Sequence, residues 1–167
     1  MPLETQIRLG YDTRMLSILG SIHAFNTLND EVLALLNPLC EPFSCKAGVV
    51  VFKQGTPTDY LYLIVTGKAE ISYKPYDGIS LTISHVGPGE LCGWSAVVGS
   101  REYTSSSIAI EDLETLRIHG DELRKLCTEH PNAGVDILNC LADLVSSRWR
   151  DSHQQVRAIL TQGMKTK

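Results

Sequence analysis

The sequence predicts an α+β fold, in which an antiparallel β-barrel or jelly roll is flanked by N-terminal helices and a long C-terminal helix. In the middle of the chain, short runs of β-branched and aromatic residues alternate with Gly, Pro, Asp and Asn, as is typical of an antiparallel sandwich or barrel. On both sides of that region, apolar residues recur at helical spacing. The 167 residues are enough for one domain with a core and an accessory element.

Residues 1–40 are predicted to form the N-terminal helices. Apolar residues from Leu3 to Ile22 follow helical spacing, which indicates one or two amphipathic helices. Asn29 is a good N-cap for a further helix, because the two acidic residues after it would lie in the first turn, where the helix dipole favours them. Pro42 is expected to end that helix.

Residues 41–120 are predicted to form the β-barrel. Turn-forming residues separate the strands, and Asp77-Gly78 is the strongest hairpin signal among them. The predicted strands are Val49–Phe52, Tyr60–Val65, Ala69–Tyr73, Ser80–Val86, Thr104–Ile110 and Leu113–Ile118.

Residues 121–163 are predicted to form a short hinge helix and a long C-terminal helix, followed by a frayed tail at 164–167. His130-Pro131-Asn132 should break the helical pattern between the two. The second helix approaches thirty residues and about 40 Å, further than a small β-barrel can cover. We therefore expect a homodimer through this helix. The alternative is that Leu138, Leu141 and Trp149 cover the barrel of their own chain.

The composition of the chain argues against several classes of function. A net charge of −4 argues against a large nucleic-acid surface. The five cysteines are scattered without a Cys-x-x-Cys pair, so we expect reduced, mostly buried thiols in a cytoplasmic protein. Neither a secretory signal nor an apolar run of about 20 residues is present in the sequence. The five histidines are dispersed, so a metal-dependent cupin enzyme is not expected, and no nucleophile motif is seen.

A possible ligand cradle lies in Val86–Ser95 and the following Tyr103–Ser106. Three glycines and a proline interrupt a strand-like sequence there, and Glu90 lies in the interruption. Glycines let a backbone approach a ligand closely and turn its N–H groups toward an anion. A carboxylate beside them can accept hydrogen bonds from a sugar. The alternative is a tight turn between two strands.

The order of elements, together with these glycines, resembles the cyclic nucleotide-binding domain family, in particular its catabolite-activator-like effector domains. Gly48, Gly55 and Gly67 fall at turns that the family uses, and Pro88-Gly89-Glu90-Leu91 looks like the start of its phosphate-binding cassette, here residues 86–106. The resemblance covers about residues 20 to 160. It implies a regulatory domain that binds a small anionic ligand such as cAMP or cGMP and signals through its C-terminal helix.

The resemblance also implies a role for individual residues. Glu90 would bind the ribose 2′-hydroxyl, and backbone N–H groups around Leu91–Trp94 would receive the cyclic phosphate. The family's phosphate-binding arginine is replaced by Tyr103, and Pro88 replaces the usual phenylalanine. The predicted ligand-binding residues are Gly89, Glu90, Leu91, Cys92, Arg101, Tyr103, Thr104 and Ser105.

The effect of losing that arginine on ligand affinity can be estimated. Removing one partner of a buried charge pair costs about 3–5 kcal/mol, which lowers affinity by about two to four decades. Arg101, two residues upstream, can compensate only if its long side chain or a bulge brings it into the site. The alternative is a ligand-free domain that acts as a dimerisation or docking module. A transcription factor is less expected, since the chain stops at Lys167 without a helix-turn-helix domain.

Overall fold

The computed structural model describes residues 17–145, which form two antiparallel four-stranded sheets with helices packed against one of them. The sheet orders are β1-β8-β3-β6 and β2-β7-β4-β5. This is the predicted α+β, jelly-roll-like architecture. The strands are β1 Cys40–Cys45, β2 Val50–Phe52, β3 Tyr60–Thr66, β4 Ala69–Tyr73, β5 Leu81–Val86, β6 Leu91–Cys92, β7 Ser106–Ala109 and β8 Leu113–His119.

Helices precede and follow the sheets. They are α1 (residues 17–21), α2 (Asp30–Leu36), α3 (Gly120–Glu129) and α4 (131–145 within the described part), with 3-10 helices at His23–Thr27, Asn37–Leu39 and Trp94–Ala96. The predicted N-cap is confirmed, because the Asn29 side chain accepts a hydrogen bond from the Val32 N–H at 2.9 Å. The predicted break between the last two helices lies at His130.

Two strands escaped the sequence prediction. Pro42 does not end α2, which stops at Leu36. Instead it lies in β1, opposite Leu116 of β8. Because β1 is an edge strand, the missing N–H of a proline is tolerated there. The other missed strand, β6, has only two residues, too few to show a period.

The hairpin predicted at Asp77-Gly78 joins β4 and β5, which pair antiparallel. Its loop is longer than a two-residue turn. Residues 74–80 connect the strands, and the Gly78 N–H donates to the Pro75 carbonyl at 3.2 Å. Asp77-Gly78 therefore marks a hairpin, as predicted, but the loop of this hairpin is not a two-residue turn.

The core has two parts, separated by the β1-β8-β3-β6 sheet. Alternation along β3 creates them: Leu61 and Leu63 pack with the helices, whereas Tyr62 and Ile64 pack between the two sheets. A half-exposed sheet would show polar residues at every second position. Here both faces of β3 are buried, which explains its almost continuous apolar sequence.

Helix α4 divides its apolar residues between two faces. Ile137 and Leu141 are fully buried in the helix-side core. Val135 and Leu138 are 57% and 37% exposed. The predicted continuation of this helix, including Trp149, the tail at 164–167 and the helices expected before residue 17 lie outside the described residues.

Candidate ligand-binding site

The turn at residues 87–90 is built around Glu90. One carboxylate oxygen of Glu90, Oε2, accepts the Gly87 N–H at 2.7 Å, and the Glu90 N–H donates to the Gly87 carbonyl at 3.0 Å. Within residues 17–145 the other carboxylate oxygen has no hydrogen-bond partner. Half of the Glu90 carboxylate therefore shapes its own turn, and half is available to a hydroxyl group.

Backbone contacts with β3 hold this turn in place. The Gly89 N–H donates to the Ile64 carbonyl at 2.9 Å, and the Ile64 N–H donates to the Glu90 carbonyl at 2.8 Å. Gly89 has φ +82, a conformation that glycine adopts with little strain. Leu91 and Cys92 then pair with β3 and are 2% exposed, so their side chains belong to the core.

Gly93 is required where the chain leaves β6. Its φ is +83, and a Cβ added there would lie 2.7 Å from the carbonyl oxygen of Tyr60. The chain then forms the 3-10 helix Trp94–Ala96. The cassette helix is therefore a single short turn that begins later than the predicted Leu91–Trp94.

Tyr103, which occupies the arginine slot, is a structural residue in this fold. Its side chain is 5% exposed and stacks on Phe52, with ring centroids 4.2 Å apart at 18°. Its hydroxyl donates to the Tyr60 carbonyl at 2.7 Å and accepts the Tyr60 N–H at 3.0 Å. Burial raises the pKa of the Tyr103 hydroxyl above its usual value.

These bonds complete the edge of β3. Pairing between β3 and β6 is limited to Tyr62 with Cys92 and Leu63 with Leu91, so Tyr60 lies beyond the end of β6. The Tyr103 hydroxyl binds both backbone polar groups of that residue. Tyr103 is therefore committed to the protein interior.

Arg101 is exposed, and its backbone carbonyl accepts the Thr58 N–H at 3.2 Å. The side chain makes no ion pair or hydrogen bond with any residue the structure describes. The structure thus holds the backbone of Arg101 and leaves its guanidinium in solvent. A contact between the Arg101 guanidinium and a ligand stays a prediction.

Thr104 is the residue of this segment that meets the cassette helix. It is exposed, and its Oγ1 lies 3.5 Å from Oγ of Ser95. Ser95 is 9% exposed and lies at the end of the predicted cradle Val86–Ser95, but it is not among the predicted ligand-binding residues. The half-buried Ser105 makes no hydrogen bond with the cassette helix. The polar groups of Ser95 and of this segment that meet at the helix are neutral hydroxyls.

A second cation, which the sequence pattern does not indicate, lies near Tyr60. The guanidinium of Arg117 in β8 is 4.2 Å from the Tyr60 ring centroid and 5.3 Å from that of Phe43. Its Nε donates to a carboxylate oxygen of Glu41 at 3.0 Å. Cross-strand pairing brings these residues together, which spacing along the chain could not indicate.

The interior beside the cassette is filled with aromatic rings. Tyr62 stacks on Phe52 at 5.8 Å and meets Phe43 edge-on at 5.6 Å. Burial, followed by the nearby Tyr103, raises the pKa of Tyr62 to about 12. Both tyrosines are therefore neutral at physiological pH, and neither can supply charge for an anion.

The cassette helix is in direct contact with the hinge helix α3. A Cβ added to Gly120 would overlap the carbonyl oxygen of Ala96, and Nη1 of Arg124 donates to that same oxygen. Arg124 also binds Asp121 in its own helix through Nη2. The Trp94–Ala96 turn and α3 therefore pack directly against each other.

The cysteines are free thiols throughout the described chain. Burial raises the pKa of Cys40 to about 12 and that of Cys140 to about 11, so both remain protonated and unreactive. Residues 17–145 contain no group of three or more His, Cys, Asp or Glu side chains that could hold a metal. Nor does that part of the chain have a helix long and apolar enough to cross a membrane.

Comparison with known families identifies residues 42–130 as a cyclic nucleotide-binding domain. The match covers more than half of the chain, which therefore belongs to the cyclic nucleotide-binding domain family.

Curated relatives include transcriptional regulators. The chain is 27% identical over 125 residues to the CRP-like cAMP-activated global transcriptional regulator of Mycobacterium tuberculosis, covering 75% of this chain and 56% of that protein. It is 30% identical over 105 residues to the cyclic AMP receptor protein of Thermus thermophilus, covering 63% and 47%. The chain spans about half the length of these relatives. A match to lysophospholipase nte1 of Aspergillus oryzae covers only 7% of that enzyme.

Solved structures agree with the family. A cyclic nucleotide-binding domain from Methylobacillus flagellatus superposes with a TM-score of 0.74 at 25% identity, covering 89% of this chain and 84% of that one. A cyclic nucleotide-binding protein from Geobacter metallireducens, described as putative, gives 0.70 at 29% identity, covering 78% and 95%.

Proposed function

We propose that this chain is a regulatory domain whose variant cassette binds a small ligand such as a cyclic nucleotide and signals through its C-terminal helices. The observation that carries the proposal is the cassette turn. It is folded and docked on β3, with one oxygen of Glu90 directed to Gly87 and the other available to a ribose hydroxyl. The proposed activity is regulatory rather than catalytic.

The chemistry of the cassette predicts weak recognition of phosphate. Tyr103 is bound to Tyr60, and Ser95 and Thr104 offer only neutral hydroxyls. The guanidinium of Arg124 beside the cassette helix is already bound to the Ala96 carbonyl and to Asp121. A neutral hydrogen bond is about half as strong as a charge-assisted one, and Arg–phosphate contacts are often bidentate. The sugar part of the ligand is therefore recognised better than its phosphate.

Signal output depends on the contact between Ala96 and α3. A ligand that binds next to the Trp94–Ala96 turn changes the position of the Ala96 carbonyl, and hence of Arg124. Such coupling requires the ligand to favour one helix position over another. We propose that the change in helix position alters a homodimer formed through α4.

Calorimetric titration with cAMP, cGMP, adenosine and guanosine tests the binding step. We expect each cyclic nucleotide to bind within about a factor of ten of its nucleoside, because phosphate recognition is weak here. Thr104→Arg should strengthen binding of cyclic nucleotides by about tenfold or more, and leave the nucleosides unchanged. Thr104→Gln, which is uncharged, is the matched control. No binding by any of these ligands, including to Thr104→Arg, would refute the sensor proposal.

Hydrogen exchange of α3 tests the coupling separately. Ligand should change the protection of α3 in the parent protein and in Lys125→Gln, and change it less in Arg124→Gln, which loses the bond to Ala96. Lys125 is exposed on the same helix and serves as the control. An equal response in both variants would exclude Arg124 as the coupling residue.

A ligand-free dimerisation or docking module is the second candidate, favoured by the exposed apolar side chains of α4. Val135 and Leu138 lie three residues apart and so on one side of the helix. In this case the double variant Val135→Ser/Leu138→Ser should sediment as a monomer, whereas Asn139→Ser, exposed on the same helix, should not. A parent protein that sediments as a monomer would refute both the dimerisation module and the proposed homodimer, and would leave docking to another protein as the remaining form of the module.

A further inference from the structure

A separate groove with a volume of about 510 Å³ lies on the outer face of the β2-β7-β4-β5 sheet. Ser107 and Ala109 of β7 point into the core, so the alternating residues Ser106 and Ile108 face outward. Ser72 pairs with Ser106 across the strands and shares that face. The volume is in the range of small-molecule sites.

The groove is held in shape by the side chain of Gln54. Its Nε2 donates to the Lys74 carbonyl at 3.0 Å, and its Oε1 accepts the Lys74 N–H at 2.9 Å. The Gln54 N–H donates to Oγ of Ser106 at 2.9 Å. These bonds tie the end of β2 to the end of β4, and so place Lys53 and Lys74 at the same groove.

The floor of the groove contains a hydroxyl without a partner. Ser72 is 6% exposed, and its Oγ has no hydrogen bond to any residue in 17–145. This Oγ is not fully enclosed by protein, so it is open to the groove and can donate a hydrogen bond to an oxygen atom of a ligand. Ser106 lies beside it. Its Oγ accepts the Gln54 N–H and keeps its own proton to donate.

The rim of the groove is positively charged, although the whole chain carries a net charge of −4. Lys53 and Lys74 line it, neither is in an ion pair with another described residue, and no lining residue is acidic. Tyr76 also lines the groove and is fully exposed, which offers an aromatic face. Ile108 and Val50 add an apolar wall.

We infer that this groove is a second ligand site, for a small organic anion that carries a phosphate or carboxylate on a flat ring. The lysines receive the anionic group, Ser72 and Ser106 bind its oxygen atoms, and Tyr76 and Ile108 contact the ring. The site shares only Ser106, at the end of the cassette segment, with residues 86–106. It does not depend on the proposed function of the cassette.

Amide chemical shifts measured during titration test the inference directly. The probes are phenyl phosphate, benzoate, inorganic phosphate and neutral benzyl alcohol. We expect the two ring-bearing anions to shift the amides of Gln54, Ser72, Lys74 and Ser106 in a saturable way, and to bind more tightly than inorganic phosphate or benzyl alcohol. The balance between phenyl phosphate and benzoate identifies the preferred anionic group.

Charge variants provide the decisive comparison. The double variant Lys53→Gln/Lys74→Gln should lower the affinity for phenyl phosphate about tenfold, because each exposed lysine contributes modestly to binding. Neither change removes a described hydrogen bond, because the Lys74 bonds involve its backbone. Lys68→Gln, exposed at another turn, is the matched control and should have no effect. Unchanged affinity in the double variant, or shifts spread over all lysines, would overturn the inference. Shifts confined to 87–95 would assign the binding to the cassette instead.

Discussion

Replacement of Tyr103 by phenylalanine tests whether this residue belongs to the fold or to the ligand site. Tyr103→Phe keeps the ring, and with it the stacking on Phe52 at 4.2 Å. It removes the hydroxyl that donates to the Tyr60 carbonyl and accepts the Tyr60 N–H. The change is therefore confined to two hydrogen bonds.

The expected cost follows from those two bonds. A typical hydrogen bond contributes about 1 kcal/mol, and a buried group that is left unpaired costs more. We expect the free energy of unfolding to fall by about 2–3 kcal/mol, and the melting temperature by roughly 5–10 °C in a chain of this size. The measurement is urea and thermal unfolding of the ligand-free protein.

The control is Tyr76→Phe, because Tyr76 is fully exposed and its loss of a hydroxyl should change stability by less than about 0.5 kcal/mol. A Tyr103→Phe protein as stable as the parent would refute the structural role of Tyr103. If such a protein also bound cyclic nucleotides more weakly, the hydroxyl would instead be a ligand contact.

Two further substitutions test other parts of the structure. Gly93→Ala should lower the free energy of unfolding by about 2–4 kcal/mol, because it combines positive φ with a Cβ 2.7 Å from the Tyr60 oxygen. Gly99→Ala is the control, because Gly99 has φ +75 but open space around it, and should cost about 1 kcal/mol in the same denaturant assay. Equal costs would refute the close contact. The Lys46 ammonium and the Ala47 N–H hold the pKa of Asp112 below its ordinary value of 3.8. A depressed pKa stabilises the fold above the unfolded value and loses this effect as pH falls through the folded one. The advantage of the parent over Asp112→Asn should therefore be present at neutral pH, decline as pH falls below about 3.8, and vanish only below the lowered pKa of the folded state in pH-dependent unfolding. An advantage that does not decline in acid would contradict this reasoning.

The parts of the fold that the sequence could predict are those set by local pattern. Six of the eight strands were expected within about two residues of their observed ends, because turn residues and β-branched runs act over short distances. The misses had physical causes. Pro42 is a strand residue only because β1 is an edge strand, and β6 exists only because β3 offers it two pairing residues.

The candidate site was less predictable, because its geometry depends on distant partners. Tyr103 could be assigned to the arginine slot from the sequence, but the direction of its side chain is set by Tyr60, 43 residues away, and by Phe52. Arg117 had no sequence signal at all, since strand pairing brings it to Tyr60. Residues that touch across strands are specified by register, which composition and spacing do not show.

The hydrogen bonds of Tyr103 bear on the choice between a ligand sensor and a ligand-free module, because they decide whether this side chain can contact a ligand. Its hydroxyl is already bound by the backbone of Tyr60, so it can contact a ligand only if those bonds break. In the proposed sensor, any phosphate contact would then come from Thr104, Arg101 or backbone groups. Thr104 is the exposed residue that lies beside Ser95 of the cassette helix. An arginine introduced at 104 thus tests the phosphate site without disturbing the core, whereas an arginine at 103 would bury a charge against Phe52 and test stability instead.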